Sequence, residues 1–148
     1  MTPDEIIAFA AALPGTFVLT ASEGNGAPEA AWGDTFFYYD PDGDEADRRM
    51  PYATIVVHDY EGFDTASDLN RPGVFRVNIA VGRTALAELT GAGPADYTAL
   101  DTLIPHPVYA DQGWVSILNP GPATTGQVRE LLTDAHARAA RRHRRRRA

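Results

Sequence analysis

The chain has 148 residues, 44% hydrophobic and 22% charged, the length of one domain with ordinary globular composition. It contains no cysteine, which excludes disulfides, zinc–thiolate centres and thiol nucleophiles. Its net charge of −7 divides unevenly: residues 1–137 carry 6 Arg against 20 acids, a net −14, while seven Arg between Arg138 and Arg147 give the end +7.

Thr2-Pro3-Asp4-Glu5 predicts a helix start, with Thr as N-cap, Pro at the first helical position and Glu three residues after the cap. Ile6, Phe9, Ala10 and Leu13 follow at helical spacing, and Pro14-Gly15 stops the run. Residues 17–20 read as a short strand, residues 32–39 as an aromatic-rich strand, and residues 53–57 as the clearest β run of the chain. Residues 74–81 alternate, with Phe75, Val77, Ile79 and Val81 on one face and Arg76, Asn78 and Ala80 on the other. A short helix is expected over 83–89. A second is expected to be capped by Asp96, to carry Tyr97, Leu100 and Ile104 on one side, and to end at Pro105. Residues 114–118 form a last strand, and Thr124 opens a helix whose stripe is Val128, Leu131, Leu132, Ala135 and Ala139.

Hairpin-length connections between these elements imply an α+β class. The expected architecture is one domain over 1–140, an antiparallel β-sheet with the N- and C-terminal helices packed on one face. Residues 141–148 form an Arg-rich tail, expected to be disordered or a frayed helix end. The acidic start at Met1-Thr2-Pro3-Asp4-Glu5 lacks the basic residues and long apolar run of a signal peptide, so a cytoplasmic location is expected. No run approaches the ~20 apolar residues of a membrane span, so no membrane partner is expected.

Candidate sites follow from the same alternation. Trp32, Asp34, Phe36 and Tyr38 share one strand face, and Arg76 with Asn78 lies opposite the apolar stripe. If Asp34 and Arg76 meet on that face, they can form a bidentate pair or offer a guanidinium to an anionic ligand. The alternative is an ion pair on exposed sheet. Aromatic side chains beside such a pair are typical of binding surfaces. His58 stands before Asp59, Glu61 and Asp64, a setting for a general base, or simply a solvated loop. His106, between Pro105 and Pro107 and close to Tyr109 and Trp114, is held rigidly and can either bind a ligand or shape a turn. Glu29 completes the set of acid–base candidates. Asp40, Asp42 and Asp44 have the spacing of a calcium loop, but Glu45 replaces the required Gly and Pro51 the closing Glu, so no metal is expected. No cofactor motif is present.

The segments Trp32-Gly33-Asp34, Phe36-Phe37-Tyr38, Ala53-Thr54-Ile55-Val56, Asp59-Tyr60, Gly62-Phe63-Asp64, Arg71-Pro72-Gly73-Val74-Phe75-Arg76 and Pro105-His106-Pro107 with Tyr109 resemble an uncharacterised actinobacterial family of unknown function, over nearly the whole chain. Leu13-Pro14-Gly15, Tyr109 and Trp114-Val115 also resemble the MmcQ/YjbR-like proteins. That resemblance implies a compact α+β fold and a DNA-binding role, although Asp111, Gln112 and Gly113 stand where basic residues would be expected. Three functions remain open. The first is a binding or accessory domain taking a small polar molecule or a protein on the aromatic face, through Trp32, Asp34, Tyr38, Arg76, Asn78, Tyr109 and Trp114. The second is a cofactor-independent enzyme using His58 or His106 with Glu29 or Asp34. The third is nucleic-acid association through the Arg tail, which the −14 of the remaining chain opposes.

Overall fold

A computed structural model describes residues 1–45, 48 and 50–147. The first helix, α1 (Pro3–Ala11), begins as the sequence predicts. Glu5 donates its backbone N–H to the Thr2 hydroxyl, and Thr2 donates its own to the Glu5 carboxylate. Six strands then form one sheet: β1 (Thr16–Thr20), β2 (Thr35–Tyr39), β3 (Ala53–Val56), β4 (Arg76–Ala80), β5 (Leu103–Pro105) and β6 (Trp114–Leu118). Their order is β1-β2-β3-β4-β6-β5, with every neighbouring pair antiparallel. The short helix α2 (Arg83–Thr90) leaves β4, and α3 (Thr125–Arg147) closes the chain. Among the described residues no helix is long and apolar enough to cross a membrane.

Register fixes what each face carries. Phe37 stands opposite Ala53, Ala53 opposite Ile79, Ile55 opposite Val77, and Val77 opposite Ile117. These side chains share one face, where Ile6 and Ala10 of α1 and Val128, Leu131, Leu132 and Ala135 of α3 cover them in a single core. The first and last helices therefore lie on the same side, and the class is α+β. Leu132 is fully buried there, and each such aliphatic side chain stabilises the fold by about 1.5–3 kcal/mol relative to leaving it exposed. At the start of α3, the carboxylate of Asp101 accepts from the backbone N–H groups of Gly121, Ala123 and Thr124 and from the Thr124 hydroxyl. Those bonds hold the Asp101 carboxyl down to about 2.

Among the described residues no α-helix covers the other face, but it is not open. The segment over residues 59–72 folds back across it, pinned by Asp59, which accepts from Leu69 N–H and donates its own N–H to the Asn70 amide oxygen. Val56, Leu69, Ile104 and Leu118 make a second small core beneath, with Tyr60, Val74 and Tyr97 against it. As a result all five residues of β6, and residues 76–79 of β4, are buried on both faces.

Three expectations change. The helix expected after Asp96 does not form: Asp96 instead bonds the Thr98 N–H and hydroxyl in a local turn, and residues 103–105 pair with β6 as β5. The strand expected from residue 32 begins at Thr35, because a 3-10 turn at Glu29–Ala31 and a positive φ at Gly33 break the extended run. Residues 141–147, expected to lie outside the domain, continue α3, and His143 is buried edge-on against Tyr39 with the ring centres 5.4 Å apart. Ala148 lies outside the described residues.

Candidate functional site

On the loop-covered face the register places Thr54 opposite Asn78 and Asn78 opposite Ser116. Three polar side chains thus sit side by side across three strands, where strand alternation would have accepted any apolar residue. They are joined: Asn78 donates through Nδ2 to Thr54 Oγ1 at 3.0 Å, and Ser116 Oγ donates to Asn78 Oδ1 at 2.7 Å. Arg76 Nε donates to the same Oδ1 at 2.8 Å, which extends the row along β4.

Arg76 is fully buried. Its Nη1 donates to Asp64 Oδ1 at 3.2 Å and to Ser67 Oγ at 3.0 Å, and its Nη2 donates to Asp64 Oδ2 at 2.5 Å. The covering segment supplies both partners, and a bridge between Tyr60 and Asp64 shapes its tip. An isolated buried guanidinium would be very costly, so this end-on carboxylate pair is what permits Arg76 to be there. Beyond it stands His106, 4% exposed, with Nε2 3.4 Å from Arg76 Nη2. His106 Nδ1 accepts the backbone N–H groups of Val108 and Tyr109, each at 3.0 Å. Burial, with the neighbouring Arg76 charge, pushes the His106 imidazole well below its ordinary value, and Asp64 opposes this only in part. The ring is therefore neutral at pH 7.

Above this network is a cavity of about 500 Å³. Arg76, Asn78, Asp64, Thr54 and His106 contribute the polar part of its lining, and Phe36, Val56, Tyr60, Phe63, Tyr109 and Trp114 the apolar part, with Met50, Pro51 and Gln112 also lining it. Phe63 and Tyr109 face each other across 6.0 Å and are both exposed. A concave, mainly aromatic enclosure with a few fixed polar groups is the usual form of a small-molecule site.

A model built for a family of unknown function (DUF6194) matches residues 1–148. The chain belongs to that family. No curated protein and no solved structure matches it.

Of the residues singled out from this family member's sequence, Arg76, Asn78, His106, Tyr109 and Trp114 all line the one cavity. Asp34 stands one residue removed: buried, it accepts from the Tyr60 phenol and from Val57 N–H, and Tyr60 lines the cavity in its place. The imagined Asp34–Arg76 pair is replaced by Asp64–Arg76, and the exposed-sheet ion pair by a buried one. Burial raises the Asp34 carboxyl, against the hydrogen bonds from Tyr60 and Val57, and burial with the Asp34 bond raises the Tyr60 phenol. His58 belongs to this second group and not to the cavity. Its Nε2 is 3.6 Å from Asp34 Oδ2, its Nδ1 is bonded to the Asp59 carbonyl, and its ring is 5.2 Å from that of Tyr60.

Trp32, Tyr38 and Glu29 fall elsewhere. Trp32 is partly exposed and donates its indole N–H to the Ala27 carbonyl. Tyr38 pairs with Phe17, and Glu29 is exposed in its 3-10 turn. Asp64, Ser67, Thr54 and Ser116 are further residues of this network that the sequence reading did not assign to it. The signal for the last two was available: polar residues at the same face position of strands whose other face is wholly apolar. Among the described residues no cluster of three or more His, Asp or Glu could hold a metal ion.

Proposed function

We propose that this chain is a small-molecule binding domain whose ligand seats in the cavity between the segment over residues 59–72 and the turn over residues 105–113. One observation carries the reading: the cavity couples an aromatic wall to a buried, hydrogen-bonded polar row that packing alone does not require. Burying such groups brings little net stability even when every bond is made. Preorganised donors beside an apolar wall are what orient a ligand. Catalysis has weaker support, because His106 Nδ1 is taken by two backbone N–H groups and His58 lies outside the cavity lining. The −14 carried by residues 1–137 opposes a nucleic-acid role for the Arg-rich end of α3.

The reading is tested by titrating small aromatic fragments and following backbone amide shifts by NMR. Perturbations are expected to concentrate at Thr54, Asn78, Tyr109 and Trp114, and to weaken in Phe63→Ala and Tyr109→Ala but not in Trp32→Ala. Fragments that bind only around Trp32 or on α3, or none that bind at all, would remove the proposal.

A further inference from the structure

The hydrogen atoms between Arg76 and His106 do not balance. Arg76 has five N–H bonds. Four point to Asn78 Oδ1, Ser67 Oγ and the two Asp64 oxygens, and the fifth, on Nη2, points towards His106 Nε2. Because His106 Nδ1 accepts two backbone N–H groups, it bears no proton, so in the neutral ring the proton is on Nε2. The 3.4 Å contact is therefore between two donors and is no hydrogen bond. Arg76 Nη2 uses its other hydrogen on Asp64 Oδ2, but among the described residues no oxygen accepts the N–H it turns towards His106 or the N–H of His106 Nε2. Both residues are at least nine-tenths buried and both line the cavity. Two buried donors left facing each other cost stability unless something else accepts from them. One oxygen placed about 2.9 Å from each nitrogen, entering from the cavity, would satisfy both.

We infer that the cavity selects an uncharged, largely apolar molecule through one carbonyl-type oxygen, which His106 Nε2–H and Arg76 Nη2–H hold between them. The inference rests on the cavity reading above and adds the ligand's class. Charge decides against an anion. Asp64 already neutralises Arg76 through both oxygens, and His106 is neutral, so the pocket has no net positive charge to offer. A ligand carboxylate would enter a low-dielectric space beside the Asp64 carboxylate, with Asp34 behind Tyr60 as a further acid. A ketone, amide or ester oxygen brings acceptor lone pairs without that repulsion, and its apolar remainder matches the ring-lined wall. A plain hydrocarbon would fill the wall and leave both donors unmet.

The test uses acetophenone, benzoate and isopropylbenzene, which share a ring and approximate size but differ in oxygen and charge. NMR titration of the full chain is expected to rank acetophenone first by about tenfold, the worth of roughly one net hydrogen bond at a buried site. His106→Asn keeps an acceptor near the Nδ1 position for the two backbone N–H groups but removes the Nε2 donor. It should bring acetophenone down to the affinity of isopropylbenzene while leaving isopropylbenzene unchanged. Nitrogen-15 shifts of the His106 ring in the unliganded protein should report the Nε2–H tautomer at pH 7. Equal binding of acetophenone and isopropylbenzene, tighter binding of benzoate, or an Nδ1–H ring would each overturn the inference and leave the cavity reading standing. If none of the three binds in the cavity, both readings fail.

Discussion

The two faces of the same strands are built on opposite rules. On the helical face Ala53, Ile55, Val77, Ile79, Val115 and Ile117 meet α1 and α3, and each contributes by area and shape alone. One residue along, Thr54, Arg76, Asn78 and Ser116 contribute by individual bonds, each with a named partner. An apolar core tolerates substitutions that conserve volume. A buried polar row does not, because removing one member leaves the others desolvated and unpaired. The first face specifies a fold; the second, on the function proposed above, specifies a site.

The largest effect expected is at Arg76. Arg76→Ala leaves the Asp64 carboxylate buried without its cation and should cost about 3–5 kcal/mol in chemical denaturation. The double variant Arg76→Met with Asp64→Leu separates stability from function. Replacing a buried ion pair with apolar residues is often neutral, or stabilising by about 1–4 kcal/mol, so the double variant should regain most of the loss and still lack the preference for acetophenone over isopropylbenzene. A double variant that remains as unstable as Arg76→Ala would mean the pair holds the fold, and the contrast between the faces would weaken.

On the helical face Leu132→Ala removes a fully buried side chain from the α3 stripe and should cost about 2–5 kcal/mol. Unlike Arg76→Ala, it should leave the cavity's ligand preference intact. A comparable change in that preference would show that the two faces are mechanically coupled.

How far the sequence disclosed this division depends on periodicity. The strict alternation from Phe75 to Val81 places Arg76 and Asn78 opposite the core, and the stripe from Val128 to Ala139 places α3 over it. Alternation gives a side chain's direction along its own strand but not its partner from another segment. Asp64 and Ser67 reach Arg76 only because residues 59–72 fold back, and a loop closure of that kind has no period to detect. Two local patterns were overridden. Tyr97, Leu100 and Ile104 have helical spacing, yet Leu100 is exposed while Ile104 joins the small core beside β6. Trp32 has strand spacing with Asp34, yet the turn at Gly33 turns it away.

Acid should act more strongly on the polar face. The folded His106 ring resists protonation because burial and Arg76 disfavour its charged form, with Asp64 opposing. The unfolded ring takes a proton below its ordinary value of about 6.5. The unfolded state then binds the extra proton, so this contribution is intact above that pH and is lost as pH falls below it. Asp34, whose carboxyl is raised, acts in the opposite direction. The effect of His106 is therefore read as the difference between parent and His106→Asn denaturation curves from pH 7 to 4. The parent should lose stability relative to the variant as pH falls; parallel curves would show that folding does not change the proton affinity of His106.

The smallest effect concerns the end of α3, where the helical face runs out into the Arg-rich segment. His143 is buried, 3.4 Å from Asp42 and edge-on to Tyr39, whereas Arg144, Arg145 and Arg146 are exposed. We propose that the boundary of the folded unit lies just after His143 instead of at residue 140. We propose two truncations to locate it. Deleting residues 144–148 should leave the melting temperature nearly unchanged, since Arg144, Arg145 and Arg146 are exposed and the interactions of exposed charges contribute little. Deleting residues 141–148 also removes the His143 contacts, and a loss of about 1 kcal/mol in a chain of this size lowers the midpoint by roughly 2–4 °C. Equal midpoints would make all of 141–148 an appendage. The same pair of proteins settles the charge question: phosphate contacts by exposed guanidiniums would give nucleic-acid binding that weakens steeply with salt. If the full chain binds DNA or RNA in that manner and the 144–148 deletion does not, the Arg cluster has a role of its own, independent of either face of the sheet.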